Sequence, residues 1–503
     1  MSHIVIQDAL YNAKSVRELD RLAIEQMAIP SIVLMKRAAR AAFDELLEAW
    51  GKPSIITVFC GSGNNAGDGY IVAALAAEKG FATRVVELAA IEKLSTDAAL
   101  ARDYSEKAGV GLQAFDAGIE LYEGVIVDAL LGTGFQNPMR EQYADAINCI
   151  NNAALPTLSI DLPSGLCSDT GSAADVAVKA DISVTFIAAK QGMFSGRGPA
   201  LCGEIIYHSL NIDEQLFEQQ PCSAELMNLD DLLEWYPDPD ADAYKNQFGH
   251  AMVIGGDHGY GGAALMAAET ALRTGAGLVS VATRPEHVAA ILARQPEIMA
   301  SGIISGQELE PLLDKPTVLV VGPGLGRSPW SEQLLQKAVA TGLPMVMDAD
   351  ALNIIAEGRV VPKPDGSRWI MTPHPAEAAR LLNMTVAEVQ ADRFSAVRKL
   401  QKKFNAVVVL KGAGTLIAIA DNDKIMVCPY GNPSMATAGM GDMLSGIIGG
   451  LLAQGLELSQ AAQLGCCLHS AAADIAVEER GARGLVATDI KGPLVAILNG
   501  ADL

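Results

Sequence analysis

A chain of 503 residues is too long for one hydrophobic core and predicts more than one domain at about 150 residues each. Half of its residues are apolar and 19% are charged, a composition that excludes a disordered chain. With 37 Lys and Arg against 59 Asp and Glu the net charge is −22, which repels a phosphate backbone and excludes nucleic acid as a partner. A dinucleotide stays admissible, because backbone N–H groups bind phosphate whatever the global charge.

The eight cysteines, at positions 60, 149, 167, 202, 222, 428, 466 and 467, form no CxxC pair and read as reduced thiols, not as a disulfide framework or zinc site. The start MSHIVIQDALYNAKSVRELD lacks the basic end and apolar centre of a secretory signal. No uncharged apolar run reaches about 18 residues, so no membrane partner is expected and the location is expected to be cytoplasmic.

In chain order, Ser15 with Glu18 predicts a capping box opening a helix, and Leu34–Trp50 predicts a second, longer one. Short β-branched runs then alternate with Ala-rich stretches. Ile55–Cys60, Thr83–Leu88, Val125–Asp128, Thr157–Asp161 and Ile182–Phe186 read as strands buried on both faces of a parallel α/β sheet. The first runs straight into Gly61-Ser-Gly-Asn-Asn-Ala-Gly-Asp-Gly69, which would deliver backbone N–H groups at a helix N-terminus, a phosphate site by geometry. It is neither a P-loop nor a GxGxxG fingerprint, and on its glycines alone a tight strand-to-helix turn is the competing reading.

Three further polar clusters end later strands. Asp128 leads into the run Leu130–Pro138, Asp161 into Pro163-Ser164-Gly165, and Phe186 into Ala188-Ala189-Lys190-Gln191-Gly192. Ligands of open parallel sheets bind beyond the carboxyl ends of strands, so these segments converge on one crevice. Asp161 and Lys190 at adjacent strand ends form an acid/base pair or, equally, a structural ion pair. Asp128 by itself reads equally well as a turn or cap former. Asn65, Asp128 and Ser164 offer hard oxygen ligands, which suit an alkali or alkaline-earth cation better than zinc.

The segments GSGNNAGDGY, DALLGTGF, SIDLPSGL and FIAAKQGM resemble the NAD(P)HX epimerase family over residues 1–215, with Ala66 where the family usually has glycine. The resemblance implies a Rossmann-like three-layer sandwich. It implies that Asn64, Asn65, Ala66, Gly67 and Asp68, together with Gly132, Thr133, Gly134, Phe135, Gln136, Asn137 and Pro138, hold the substrate's phosphates. It further implies K⁺ at Asn65, Asp128 and Ser164, with Asp161 and Lys190 beside the hydrated nicotinamide ring.

From Asp213 to Gln247 acids cluster with Pro221, Pro237 and Pro239, and the domain boundary is expected there, with a linker at 216–247 leading into the second domain. The alternation then restarts with Ala251–Gly255, Leu278–Thr283, Val318–Val321, Met345–Asp348, Trp369–Met371 and Val407–Leu410, a second α/β domain. Its most specific segment is Gly431–Asp442 ahead of the helical run Met443–Leu452. Gly439 and Gly441 would let the backbone approach an anion at a helix N-terminus, and Asp442 would take a hydroxyl proton, unless it only caps the helix. That combination suits phosphoryl transfer to an alcohol.

Lys411-Gly-Ala-Gly-Thr415 reads as a further glycine-rich loop and His374 as a ligand contact or a turn residue. Asp348 and Asp350 read as metal or ligand supports, or as helix caps. VVGPGLG, DADALN, MTPHPAEAARLL, LKGAGT and NPSMATAGMGDMLSG resemble the ADP/ATP-dependent NAD(P)HX dehydratases, ribokinase-like proteins, over residues 225–503. By that resemblance Lys411, Gly412, Ala413, Gly414, Thr415 and Gly441 hold the adenine nucleotide, while Ala263, Gly326, His374 and Asp442 face the hydrated dinucleotide.

The expectation is therefore an α/β chain with two activities. The front interconverts the epimers of hydrated NAD(P)H, and the rear dehydrates the S form, with Mg²⁺ and with ADP, or ATP, as co-substrate. A homo-oligomer is expected. Two rivals stay open at this point, a small-alcohol kinase in the rear half and a noncatalytic binding module in the front.

Overall fold

The computed structural model describes residues 8–135, 138–360, 368–420 and 422–500. Of the expected site residues, Gln136 and Asn137 lie outside the described residues. The chain divides into two compact units, one ending at Glu225 and one beginning at Leu226.

The first unit is built on a parallel sheet of seven strands. Its order is Gly111–Ala114, Thr83–Glu87, Ile56–Cys60, Val125–Ala129, Thr157–Ile160, Ile182–Phe186 and Glu204–His208. Successive residues of one strand feed different cores. Val58 and Val127 pack with the helices Ser31–Trp50 and Asn64–Glu78, whereas Phe59 and Ile126 pack with the helix Glu141–Ala153. Both faces of the sheet are covered, which is why its strands read as continuous apolar runs. The chain order reverses between Ile56–Cys60 and Val125–Ala129, the switch point where such sheets bind ligands.

The first helix, Ala13–Gln26, is not opened by Ser15. Asn12 is its cap, with Oδ1 accepting the Ser15 N–H at 2.9 Å, and Glu18 instead pairs with Arg21 on the exposed face. An Asx residue three positions earlier satisfied the same orphan N–H that the expected box would have served.

In the second unit the strands run in the order Met299–Gly302, Leu278–Thr283, His250–Ile254, Val318–Val321, Met345–Met347, Trp369–Met371, Val407–Leu410, Thr415–Ala418 and Ile425–Cys428. They are parallel up to Val407–Leu410, and the last two are antiparallel. Gly412–Gly414 therefore turns a hairpin and does not lead into a helix. Val253, Val320, Val346, Ile370 and Val409 share a core with the helices Met440–Ala453 and Leu458–Arg480. No helix among the described residues is long and apolar enough to cross a membrane.

Candidate active sites

In the first unit the strand ends enclose a cavity of about 450 Å³. Its lining includes Asn64, Asn65, Asp68, Gly132, Thr133, Gly134, Phe135, Asp161 and Lys190. Asn64–Glu78 starts at Gly63 with no side-chain cap, which leaves first-turn N–H groups facing a ligand position. Ala66 and Gly67 are buried and face the protein, and a methyl on Gly67 would stand 2.5 Å from Met35 Cε. Pro138 is exposed and is not part of the lining.

Lys190 ends the short strand Ala189–Lys190, where it pairs with Tyr11, and its side chain is only 1% exposed. Nζ donates to Asp161 Oδ1, to Thr185 Oγ1 at 2.9 Å and to the Phe186 carbonyl at 3.0 Å. Asp161 sits at φ +70°, a left-handed conformation costly for a residue with a Cβ, and this aims its carboxylate back at the ammonium. Asp68, beside them, is held well above the ordinary carboxylate range by burial, with the Asp161 and Asp20 charges adding to it.

Asp128 is fully buried and accepts from the Leu130 N–H, both the N–H and Oγ of Ser164, and Ser159 Oγ. Burial still raises its pKa against those four donors. Asn65 Nδ2 donates to the Leu131 carbonyl at 3.1 Å, while its Oδ1 is buried with no hydrogen-bond partner.

In the second unit the site is assembled at carboxyl ends of parallel strands and at the N-terminus of Met440–Ala453. The cap of that helix is Gly439, at φ +93°, so Asp442 lies in the first turn and is not the cap. Its carboxyl is pushed up to about 7 by burial and by Asp348, against the pull of Lys411. Asp348 follows Met345–Met347, and its carboxylate takes no part in capping the next helix. Oδ1 accepts from Lys411 Nζ at 2.7 Å and Oδ2 from Ser445 Oγ at 2.9 Å. A methyl on Gly441 would stand 3.3 Å from Lys411 Nζ. Lys411 thus points toward Gly441 and the carboxylates, whereas Gly412 and Ala413 are exposed and Thr415 Oγ1 closes the turn on the Gly412 carbonyl at 3.0 Å.

Burial alone would depress the Lys411 ammonium, but Asp348, Glu377 and Asp442 hold it above its ordinary value. Glu377 is pushed up to about 7, by burial first. His374 caps the helix Pro375–Leu382, Nδ1 accepting the Ala376 N–H at 3.0 Å, so its Nε2 carries the proton and faces Glu377 Oε1 at 3.3 Å. Burial, then Lys411 and Arg380, keep its pKa low. Ala263 lies in the first turn of Gly261–Arg273, within reach of the loop at Gly324. The Gly326 N–H donates to Asp350 Oδ2 at 2.9 Å.

Three residues were not singled out from the sequence. Asp20, from the first helix, lines the front cavity. Its signal was an acid placed one turn after Val16 in the apolar stripe Val16, Leu19, Leu22, Ala23. Ser445 anchors Asp348. Arg393, 1% exposed, reaches the Leu410, Lys411 and Gly414 carbonyls from beneath the hairpin turn, and nothing local marked it.

Residues 251–494 match the family model of NAD(P)H-hydrate dehydratase, and residues 31–192 that of the YjeF-related protein N-terminus. The bifunctional NAD(P)H-hydrate repair enzyme of Coxiella burnetii is 46% identical over 490 residues, covering 97% of this chain and 99% of that one. The chain belongs to the family of bifunctional NAD(P)H-hydrate repair enzymes. The repair enzyme of Escherichia coli is 38% identical, covering 99% of this chain and 95% of its own. Among solved structures, a ribokinase-like superfamily protein from Enterococcus faecalis is 29% identical with a TM-score of 0.51, over 56% of this chain and 96% of that chain. As a repair enzyme of this family the chain carries an epimerase in its first unit and a ribokinase-like dehydratase in its second.

Proposed function

We propose that Asp161 and Lys190 perform proton transfer at C6 of the hydrated nicotinamide, and that Asp442 is the base of the dehydratase. The carrying observation is the placement of Asp442 in the first turn of a helix that has no side-chain cap, beside the Asp348–Lys411 pair, with its carboxyl pushed up to about 7. A carboxylate poised there takes the proton of the C6 hydroxyl as the hydroxyl oxygen receives a phosphoryl group from ADP, or from ATP. The phosphate then departs with a proton from C5, which regenerates the dihydronicotinamide. With ADP the products besides NAD(P)H are AMP and phosphate.

The Gly412–Thr415 turn, buttressed by Arg393, and Gly441 receive the nucleotide, while Ala263, Gly326 and His374 receive the dinucleotide. Mg²⁺ would arrive on the nucleotide phosphates. Mg²⁺ supplies charge neutralisation on the transferring phosphoryl group when bound.

In the front domain the cavity-lining residues Asn64, Asn65 and Asp68, with Gly132, Thr133, Gly134 and Phe135, are the phosphate contacts, while Ala66, Gly67 and Pro138 stand outside that lining. Asn65, Asp128 and Ser164 would hold K⁺. The orphaned Asn65 Oδ1 and the desolvated Asp128 carboxylate fit such a cation, which supplies a positive charge between the two loops when bound. Asp442→Asn tests the reading. Dehydration of the S epimer falls on the order of 10²–10⁴-fold while epimerisation continues, and Lys190→Met gives the converse. Near-normal dehydration by Asp442→Asn contradicts it.

A further inference from the structure

The front cavity holds carboxylates that the Asp161–Lys190 pair does not account for: Asp68, at the start of the loop-borne helix among the phosphate contacts, and Asp20, which enters from a different helix. Asp20 is carried by Ala13–Gln26, and with Val16 and Arg17 it lines the cavity that also contains Asp161 and Lys190. Among the described residues its carboxylate engages in no hydrogen bond or ion pair, whereas Asp97, another acid in the lining, is occupied by Ser31 Oγ. Arg17, Asp68, Asp97, Asp161 and Lys190 are the charged groups sharing the cavity with it. Burial raises its pKa, Asp161 adds to the rise and Lys190 opposes it. An unpartnered carboxylate in an otherwise apolar helical stripe costs stability and contributes nothing to packing.

Inversion at C6 needs chemistry on two faces. The hydroxyl leaves as water after taking a proton from the protein, and the N1 lone pair closes a C6=N1 iminium. Water must then add to the opposite face, surrendering a proton to a base there, while the C6=N1 π electrons return to N1. One proton is given and one is taken back, with no net redox change. A group confined to one face returns water only to the face it left. We propose that Asp20 serves one face of C6 and the Asp161–Lys190 pair the other. The inference rests on the role given to that pair above.

The test is epimerisation in oxygen-18 water by the full-length enzyme, without nucleotide, with each epimer analysed for inversion and label above the spontaneous rate. The wild type inverts and labels both epimers. In Asp20→Asn, inversion falls on the order of 10²–10⁴-fold while one epimer still acquires label. In Lys190→Met, inversion falls likewise and the other epimer acquires label. Asp20→Glu recovers part of the inversion. Single-epimer labelling also shows that the variant cavity is folded. Inversion at the wild-type rate by Asp20→Asn overturns the inference and leaves the pair intact, whereas the wild-type rate in Lys190→Met overturns the pair itself. Loss of label from both epimers in Asp20→Asn reduces Asp20 to a structural role and overturns the inference, as does wild-type inversion without label.

Discussion

Lys411 Nζ lies 2.7 Å from Asp348 Oδ1, and the far oxygen of that carboxylate is anchored by Ser445, three residues beyond Asp442. The lysine that opens the hairpin turn thus serves as a positive charge between acids, Asp348, Glu377 and Asp442. Its charge lowers the pKa of Asp442, the residue proposed as the base.

A pH profile reads this tuning. Asp442 must be ionised to accept a proton, so kcat/KM for dehydration falls as pH drops through about 7. Asp348→Asn removes a negative neighbour that raises the Asp442 pKa and moves the acidic limb to lower pH. Lys411→Met removes the charge that lowers it and moves the limb to higher pH. Shifts in the same direction for both variants contradict the account.

The approach of Gly261–Arg273 to Met440–Ala453 holds the Asp442 turn in place. A methyl on Gly446 would stand 2.1 Å from the Ala267 carbonyl and from Thr270 Oγ1, which itself donates to the Met443 carbonyl at 3.1 Å. Gly446→Ala is expected to cost about 1–3 kcal/mol of stability by overpacking. Gly492→Ala, with nothing within 4 Å of the new methyl, is expected to be neutral or stabilising by up to about 1 kcal/mol. Thermal unfolding of the two variants checks the contrast.

Each candidate site is built wholly from one side of the division between Glu225 and Leu226. Residues 1–225 and 226–503 produced as separate chains are expected to epimerise and to dehydrate, respectively, at rates within a few-fold of the intact enzyme, roughly 1 kcal/mol at most in barrier. Assays of each piece on its own substrate decide this, and two inert pieces contradict it.

Strands such as Ile182–Phe186, Val318–Val321 and Val407–Leu410 were legible because burial on both faces demands unbroken β-branched runs. The edge strands Gly111–Ala114 and Met299–Gly302 were not, since exposure lets them carry Gln, Ser and Gly. Thr415–Ala418 was hidden because its first residue closes a glycine turn that reads like an anion loop. Asp128, near the end of its strand, and Asp161 and Asp348, which directly follow theirs, were visible from position alone. Asp20 enters its cavity from a helix distant in sequence, and Ser445 acts through Asp348, so their roles depend on tertiary contacts that no local pattern encodes.

On the roles proposed above, one chain converts both epimers to NAD(P)H, with Asp442 acting on the S form only. The direct measurement is recovery of dihydronicotinamide absorbance from a purified epimer mixture with ADP, with phosphate and AMP quantified in parallel. Full recovery is expected from the wild type, with one phosphate and one AMP per NADH, and recovery limited to the S fraction and spontaneous epimerisation from Lys190→Met. Recovery without matching phosphate, or a phosphorylated alcohol accumulating as the final product, would contradict those roles.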